Sequence, residues 1–131
     1  MEANDTQVLD VLVIDDEPIV GKSLRLALSK AGFEVEVFED PVLALRRLGE
    51  KSFDIVVTDV VMGDVDGLQV LERVMTSSPQ CKVIIMTAFA QMSMARKAME
   101  KGAFDFIAKP FDTAQIRALV NKAAEALRSG S

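Results

Sequence analysis

The chain contains no histidine and a single cysteine, Cys81, in 131 residues. Without histidine it has no histidine phosphodonor, no histidine zinc ligand and no base for a Ser-His-Asp arrangement. Any phosphoryl group it receives must therefore come from another molecule or domain. One thiol excludes an intrachain disulfide and gives no sign of a secreted, disulfide-held scaffold. Cys81 reads as an inert residue at the start of a strand. Long hydrophobic runs are missing as well, since no apolar stretch approaches the roughly 20 residues that span a bilayer. The opening Met1-Glu2-Ala3-Asn4-Asp5 is acidic and polar and does not suit a signal peptide. A cytoplasmic location without membrane contact is the expectation. Net positive charge is also lacking. A formal charge of −5 argues against direct nucleic-acid binding, which needs a basic face to displace counterions. It suits a domain that binds a divalent cation and meets protein partners. No Gly-x-x-x-x-Gly-Lys-Ser/Thr occurs, which excludes a P-loop nucleotide binder.

What is present fits one domain with a real core: 50% of residues are hydrophobic and 27% charged. After a polar leader over 1–7, a nearly continuous apolar run over about 8–14 predicts a strand buried on both faces. Val20, Leu24, Ala27, Leu28 and Ala31 follow at helical spacing, with Gly32 placed for a left-handed cap. Phe33 to Phe38 alternates apolar and acidic residues as a short second strand would. Asp40-Pro41 reads as an N-cap and first helical residue, opening a helix through Leu48. The third strand ends at Asp59, and a loop leads to a helix with Leu68, Leu71, Val74 and Met75 on one face, stopped by Ser77-Ser78-Pro79. Lys82 to Met86 is the fourth strand, and a helix over about 91–101 ends at Gly102. A fifth strand follows at once, and the last helix begins after Asp112. Five alternations of strand and helix predict a parallel sheet with helices on both faces. The domain is expected over 8–128, with Ser129-Gly130-Ser131 as a tail or the start of a linker.

Four of the apolar runs end in residues able to handle a phosphoryl group. Val11-Leu12-Val13-Ile14 leads to Asp15-Asp16, and Ile55-Val56-Val57-Thr58 to Asp59. Val83-Ile84-Ile85-Met86 leads to Thr87, and Phe104-Asp105-Phe106-Ile107-Ala108 to Lys109-Pro110. Ligands of open parallel sheets bind outside the carboxyl ends of the strands. Three carboxylates, a hydroxyl and an ammonium then meet at one edge, which reads as a magnesium-dependent phosphorylation site centred on Asp59.

Asp15-Asp16-Glu17, Asp59, Asp66-Gly67, Thr87-Ala88 and Lys109-Pro110, in this order and strand context, resemble the receiver (CheY-like) domain of two-component response regulators. The segment Gly102-Ala103-Phe104-Asp105-Phe106-Ile107-Ala108-Lys109-Pro110-Phe111 is further similar to receivers of the NtrC and DctD type. The resemblance implies a flavodoxin-like α/β fold, a five-stranded parallel sheet in order 2-1-3-4-5 with two helices on one face and three on the other. It implies that Asp59 accepts a phosphoryl group from a sensor histidine kinase or a histidine phosphotransfer protein. Mg²⁺ would be held by Asp16 and Asp59 directly, by Asp15 partly through water, and by the backbone carbonyl of Val61. Such a hard cation keeps several waters, so this is a plausible protein share. Thr87 and Lys109 would meet the phosphoryl oxygens, and the Lys109-Pro110 bond would be cis. Glu17 reads as a helix-start acid rather than a ligand, and Asp64 and Asp66 as caps of the following helix.

Phe106 stands where the family often carries a switch aromatic, and equally suits a plain core position. Met92, Met94 and Met99 divide between core packing and an adaptable partner surface. The resemblance places output on the fourth helix, fifth strand and fifth helix, a face that also allows a homodimer, with an output domain outside this chain. Such a module is no enzyme beyond its own phosphorylation and dephosphorylation. Two departures stand out. Gly63 replaces the proline usual in that loop, which predicts a more mobile segment. Val61 and Phe89, two residues past Asp59 and Thr87, are apolar and offer no hydrogen bond to an attacking water. The rivals are a haloacid-dehalogenase-like phosphatase, whose nucleophile would follow the first strand, and a non-phosphorylated pseudo-receiver acting as an interaction module.

Overall fold

The computed structural model describes residues 7–130, so the leader over 1–6 and Ser131 lie outside the described residues. Strand β1 (Asp10–Ile14) is followed by α1 (Pro18–Lys30), β2 (Glu34–Phe38), α2 (Pro41–Glu50), β3 (Ile55–Asp59) and α3 (Gly67–Ser77). Then come β4 (Lys82–Ala88), a 3-10 turn at Phe89–Gln91, α4 (Met92–Glu100), β5 (Asp105–Lys109) and α5 (Thr113–Arg128). The five strands are parallel in the order β2-β1-β3-β4-β5. That is the predicted sheet.

Period-two alternation along the central strands builds two cores. Leu12, Ile14, Val56, Val83 and Ile85 face one side, where Ala44 of α2, Val70, Leu71 and Val74 of α3 and Ala98 of α4 cover them. Val11, Val13, Ile55, Val57, Ile84 and Met86 face the other, under Leu24 and Leu28 of α1 and Ile116, Val120 and Ala123 of α5. Both faces are thus sealed, which is why these strands read as continuous apolar runs. Each fully buried leucine or isoleucine contributes about 1.5–3 kcal/mol by removal from water.

The caps follow their chemistry. The Asp40 carboxylate accepts from the Val42 N–H at 2.9 Å with Pro41 opening α2, and Asp112 forms a reciprocal capping box with Gln115 at α5. Gly32, at φ +99°, ends α1 in the left-handed region that side chains rarely adopt. Boundaries shift slightly from expectation. Strand β1 starts at Asp10, where its pairing with β2 begins, and β4 runs on through Thr87 and Ala88 because β5 pairs with both. No helix among the described residues is long and apolar enough to cross a membrane.

Candidate phosphoryl and cation site

The site forms where β1, β3, β4 and β5 end side by side. In register, Ile14 stands beside Thr58, Asp59 beside Met86, and Ala88 beside Lys109. Asp15, the residue after β1, is fully buried, and its backbone N–H donates to the Phe38 carbonyl at 3.1 Å. Its Oδ1 accepts the Glu17 N–H at 2.8 Å, a tight turn that leaves Oδ2 for Lys109. At the end of β3, Asp59 Oδ1 accepts the Val60 N–H at 2.8 Å, which likewise leaves Oδ2 free to meet the lysine.

Lys109 ties the group together. Its Nζ donates to Asp15 Oδ2 at 2.7 Å, to Asp59 Oδ2 at 3.1 Å and to Glu17 Oε1 at 3.1 Å. Burial alone would lower the pKa of this ammonium. The hydrogen bonds to Asp15 and Glu17 and the charges of Asp59 and Asp15 outweigh it and hold the pKa well above the ordinary lysine range. Asp59 moves the other way from a simple ion pair. Burial raises its carboxyl pKa more than the charge and hydrogen bond of Lys109 lower it, and the Asp15 charge adds to the rise. One oxygen from each of Asp15, Glu17 and Asp59 lies within 4.8 Å of the others, a hard-oxygen set of the kind Mg²⁺ takes.

The expected residues divide. Asp15, Asp59 and Lys109 converge as described. Asp16 is exposed and is not part of the carboxylate trio; the chain alternates at this turn, sending Asp15 inward and Asp16 out. Glu17 supplies the third carboxylate of the trio while standing at the start of α1, as read from the sequence. It does occupy the N-cap position of α1, but its side chain makes no capping hydrogen bond and goes to Lys109. Thr87 is fully buried, and its Oγ1 donates to the Ala88 carbonyl at 3.1 Å rather than to a carboxylate. The Val61 side chain is 44% exposed, and Phe89, at 88%, covers nothing. Phe106 is half-buried against the core that α4 covers. The Lys109–Pro110 peptide bond is cis. Asp66, not the exposed Asp64, caps α3, in a capping box with Gln69.

Gly67 carries a reason that the sequence motif did not spell out. A Cβ there would sit 2.6 Å from the Asp59 carbonyl oxygen and 2.9 Å from Val60 Cα, and the Gly67 N–H donates to the Val60 carbonyl at 2.9 Å. The loop therefore folds back on the strand end that presents Asp59. Gly63 has φ +60°, a conformation that the proline ring forbids. Cys81 is buried just before β4. Burial, helped by the nearby Asp54 charge and partly offset by Lys82, pushes its thiol up to about 12, which makes it inert near neutral pH.

Residues 11–121 match the response regulator receiver domain family. The chain belongs to that family. The receiver is 35% identical over 113 residues to the DNA-binding transcriptional regulator NtrC of Rhizobium meliloti, covering 86% of this chain and 23% of that protein. It is 37% identical over 113 residues to the transcriptional regulatory protein FixJ of Bradyrhizobium diazoefficiens, covering 86% and 55%. Among solved structures, a response regulator receiver domain protein of Clostridium thermocellum superposes with a TM-score of 0.88 at 28% identity, over 95% of this chain and all of that one. Receivers are signalling modules of two-component systems, and membership sets aside the dehalogenase-like phosphatase. The chain spans only a fraction of its regulator relatives, less than a quarter of that NtrC.

Proposed function

We propose that Asp59 accepts a phosphoryl group from a phosphohistidine on a sensor kinase or phosphotransfer protein, in a Mg²⁺-dependent reaction that alters an output surface. The observation that carries this reading is the Lys109 ammonium held between Asp15 Oδ2 and Asp59 Oδ2 at the carboxyl edge of the sheet. An Asp59 oxygen attacks phosphorus, the new O–P bond forms as the N–P bond breaks, and the imidazole leaves with the electron pair. A carboxylate is an established acceptor in such chemistry. The chain supplies position and charge: Lys109 neutralises one phosphoryl oxygen, and Thr87 turns its hydroxyl from the Ala88 carbonyl to another. Bound Mg²⁺ would neutralise the remaining phosphoryl charge, with Asp15, Asp16, Asp59 and the Val61 carbonyl as its protein share.

Movement of Thr87 vacates space beside β5, and Phe106 is the ring suited to follow it. The response then reaches the α4-β5-α5 face, where Met92 and Met94 are half-buried and Met99 is exposed. That face serves a partner, a second receiver or an output domain beyond this chain. For a swing from 1:99 to 99:1, phosphorylation must favour the active state by roughly 5.5 kcal/mol. The only reactions the chain promotes are its own phosphorylation and dephosphorylation, within a unit spanning 8–128 and working in the cytoplasm. Incubation with acetyl phosphate and Mg²⁺ followed by intact mass tests the proposal. One phosphoryl adduct is expected on the parent and none on Asp59→Asn. An adduct retained in that variant sinks the assignment, and none on the parent supports the pseudo-receiver.

A further inference from the structure

We infer that Glu17 is a positioning residue of this site, occupying one hydrogen-bonding direction of the Lys109 ammonium until a phosphoryl oxygen displaces it. The inference rests on the reading of Asp59 as acceptor. An ammonium has three N–H donors, and Lys109 Nζ already meets three carboxylates, those of Asp15, Glu17 and Asp59. No donor is left for a phosphoryl oxygen, so one partner must yield.

Asp15 is the wrong one to move. It is fully buried, and losing the ammonium would strand its charge away from water. Asp59 is itself the point of attachment. Glu17 is 64% exposed, so its carboxylate can return to water at little cost. Nor does it cap α1 with a side-chain hydrogen bond, so no capping bond is broken when it swings away. Glu17 and Lys109 also line one cavity of about 540 Å³, with Ile19, Pro110 and Phe111 on its apolar wall. Glu17 is the most exposed of the three carboxylates on Lys109, so its charge lies on the solvent side of the ammonium, where an anionic donor meets it first. Occupation of the ammonium and repulsion of the donor act in the same direction. Glu17 therefore restrains phosphorylation by small anionic donors, and does so more strongly the more negative the donor.

The test follows adduct formation on the full chain by intact mass, with Mg²⁺, across a range of acetyl phosphate or phosphoramidate concentrations. In this assay an Asp59 oxygen displaces acetate or ammonia from phosphorus. Glu17→Gln keeps the shape and removes the charge; Glu17→Ala removes both. Both should steepen the rate against acetyl phosphate concentration by roughly two- to fivefold, the range expected of one partly exposed charge. The gain should be smaller with the less negative phosphoramidate and should shrink at high salt. Glu34→Gln, at the opposite end of the sheet, should change neither slope. A purely structural role would shift melting temperature without distinguishing the donors. Slopes equal to the parent's, or lower, for both Glu17 variants overturn the inference and leave Asp59 standing. No adduct on the parent overturns the Asp59 reading, and this inference with it.

Discussion

Lys109 Nζ lies 2.7 Å from Asp15 Oδ2 across 94 residues of sequence. The contact joins the end of β5 to the end of β1 over the tips of β3 and β4, which stand between them in the sheet. Asp59, at the tip of β3, falls on that line and shares the same ammonium at 3.1 Å. One side chain thus binds the tips of β1 and β5 and the proposed acceptor together. The same cation compensates a carboxylate that is entirely buried.

Removing that cation leaves Asp15 unpaired. Lys109→Met is therefore expected to lower the unfolding free energy by about 3 kcal/mol, as for other broken buried pairs. Asp15→Asn added to it should recover part of the loss, since the pair is coupled. Urea denaturation of the four members of the cycle checks this. Equal stability of parent and Lys109→Met would show that the contact does not matter to the fold.

Asp59 should respond in the opposite sense. Its folded-state pKa is raised, chiefly by burial. A raised carboxyl contributes stability that is fully present below its unfolded pKa and is lost as pH rises through the folded value. At neutral pH the ionised carboxylate is therefore a burden, and the neutral Asp59→Asn should melt higher when measured in a chelator. The difference should narrow as the pH approaches 4. A lower melting temperature for the variant at neutral pH would contradict the sign.

Most of this fold was legible because its signals are local. The apolar runs, the Asp40-Pro41 and Asp112 caps and Gly32 each report on their own segment, and alternation then gives a parallel sheet covered on both faces, its strand order coming from the family resemblance. The convergence of Asp15, Asp59 and Lys109 was legible too, since strand ends in a parallel sheet share an edge. Glu17 was not. Its side chain is placed by a contact with Lys109, 92 residues away, and nothing in Asp15-Asp16-Glu17 says which acid joins Asp15 on that lysine. The direction of Phe89 was equally hidden. The ring is 88% exposed, so its expected place beside the water approach has no packing to fix it. The motif marked Gly67, but its contact with the Asp59 carbonyl depends on how the loop returns.

A second electrostatic contact makes a pH prediction away from the site. Arg47 Nε and Nη2 donate to the two Glu36 oxygens at 2.9 Å each, joining α2 to the edge strand β2. The Arg47 hydrogen bonds hold the Glu36 pKa below 4.5, against some desolvation, with the charges of Arg47 and Lys51 helping. A depressed carboxyl contributes stability above its unfolded pKa and loses it as pH falls through the folded value. Stability should therefore decline below about pH 4.5 through this group, and Arg47→Ala should flatten that limb. Urea midpoints between roughly pH 3 and 6 measure it. An identical acid limb in Arg47→Ala would assign the decline to other carboxylates.

Gly67→Ala tests how the β3–α3 loop supports the acceptor. The added carbon would lie 2.6 Å from the Asp59 carbonyl oxygen, a contact with backbone that no rotamer change relieves. Either the loop lifts, breaking the 2.9 Å bond from Gly67 N–H to the Val60 carbonyl, or the end of β3 shifts. Overpacking of this kind typically costs about 1–3 kcal/mol. Both routes disturb Val60, whose N–H donates to Asp59 Oδ1 and also to the Met86 carbonyl. The variant should thus lose stability and also take up phosphoryl from acetyl phosphate more slowly under conditions where it remains folded. Gly21→Ala offers a comparison with an equally close contact, 2.6 Å from Val37 Cγ1, but against a side chain that can move and without contact with the backbone that presents Asp59. It should lose stability while keeping its phosphorylation rate closer to the parent's. Equal rates for Gly67→Ala and the parent would separate this loop from the acceptor.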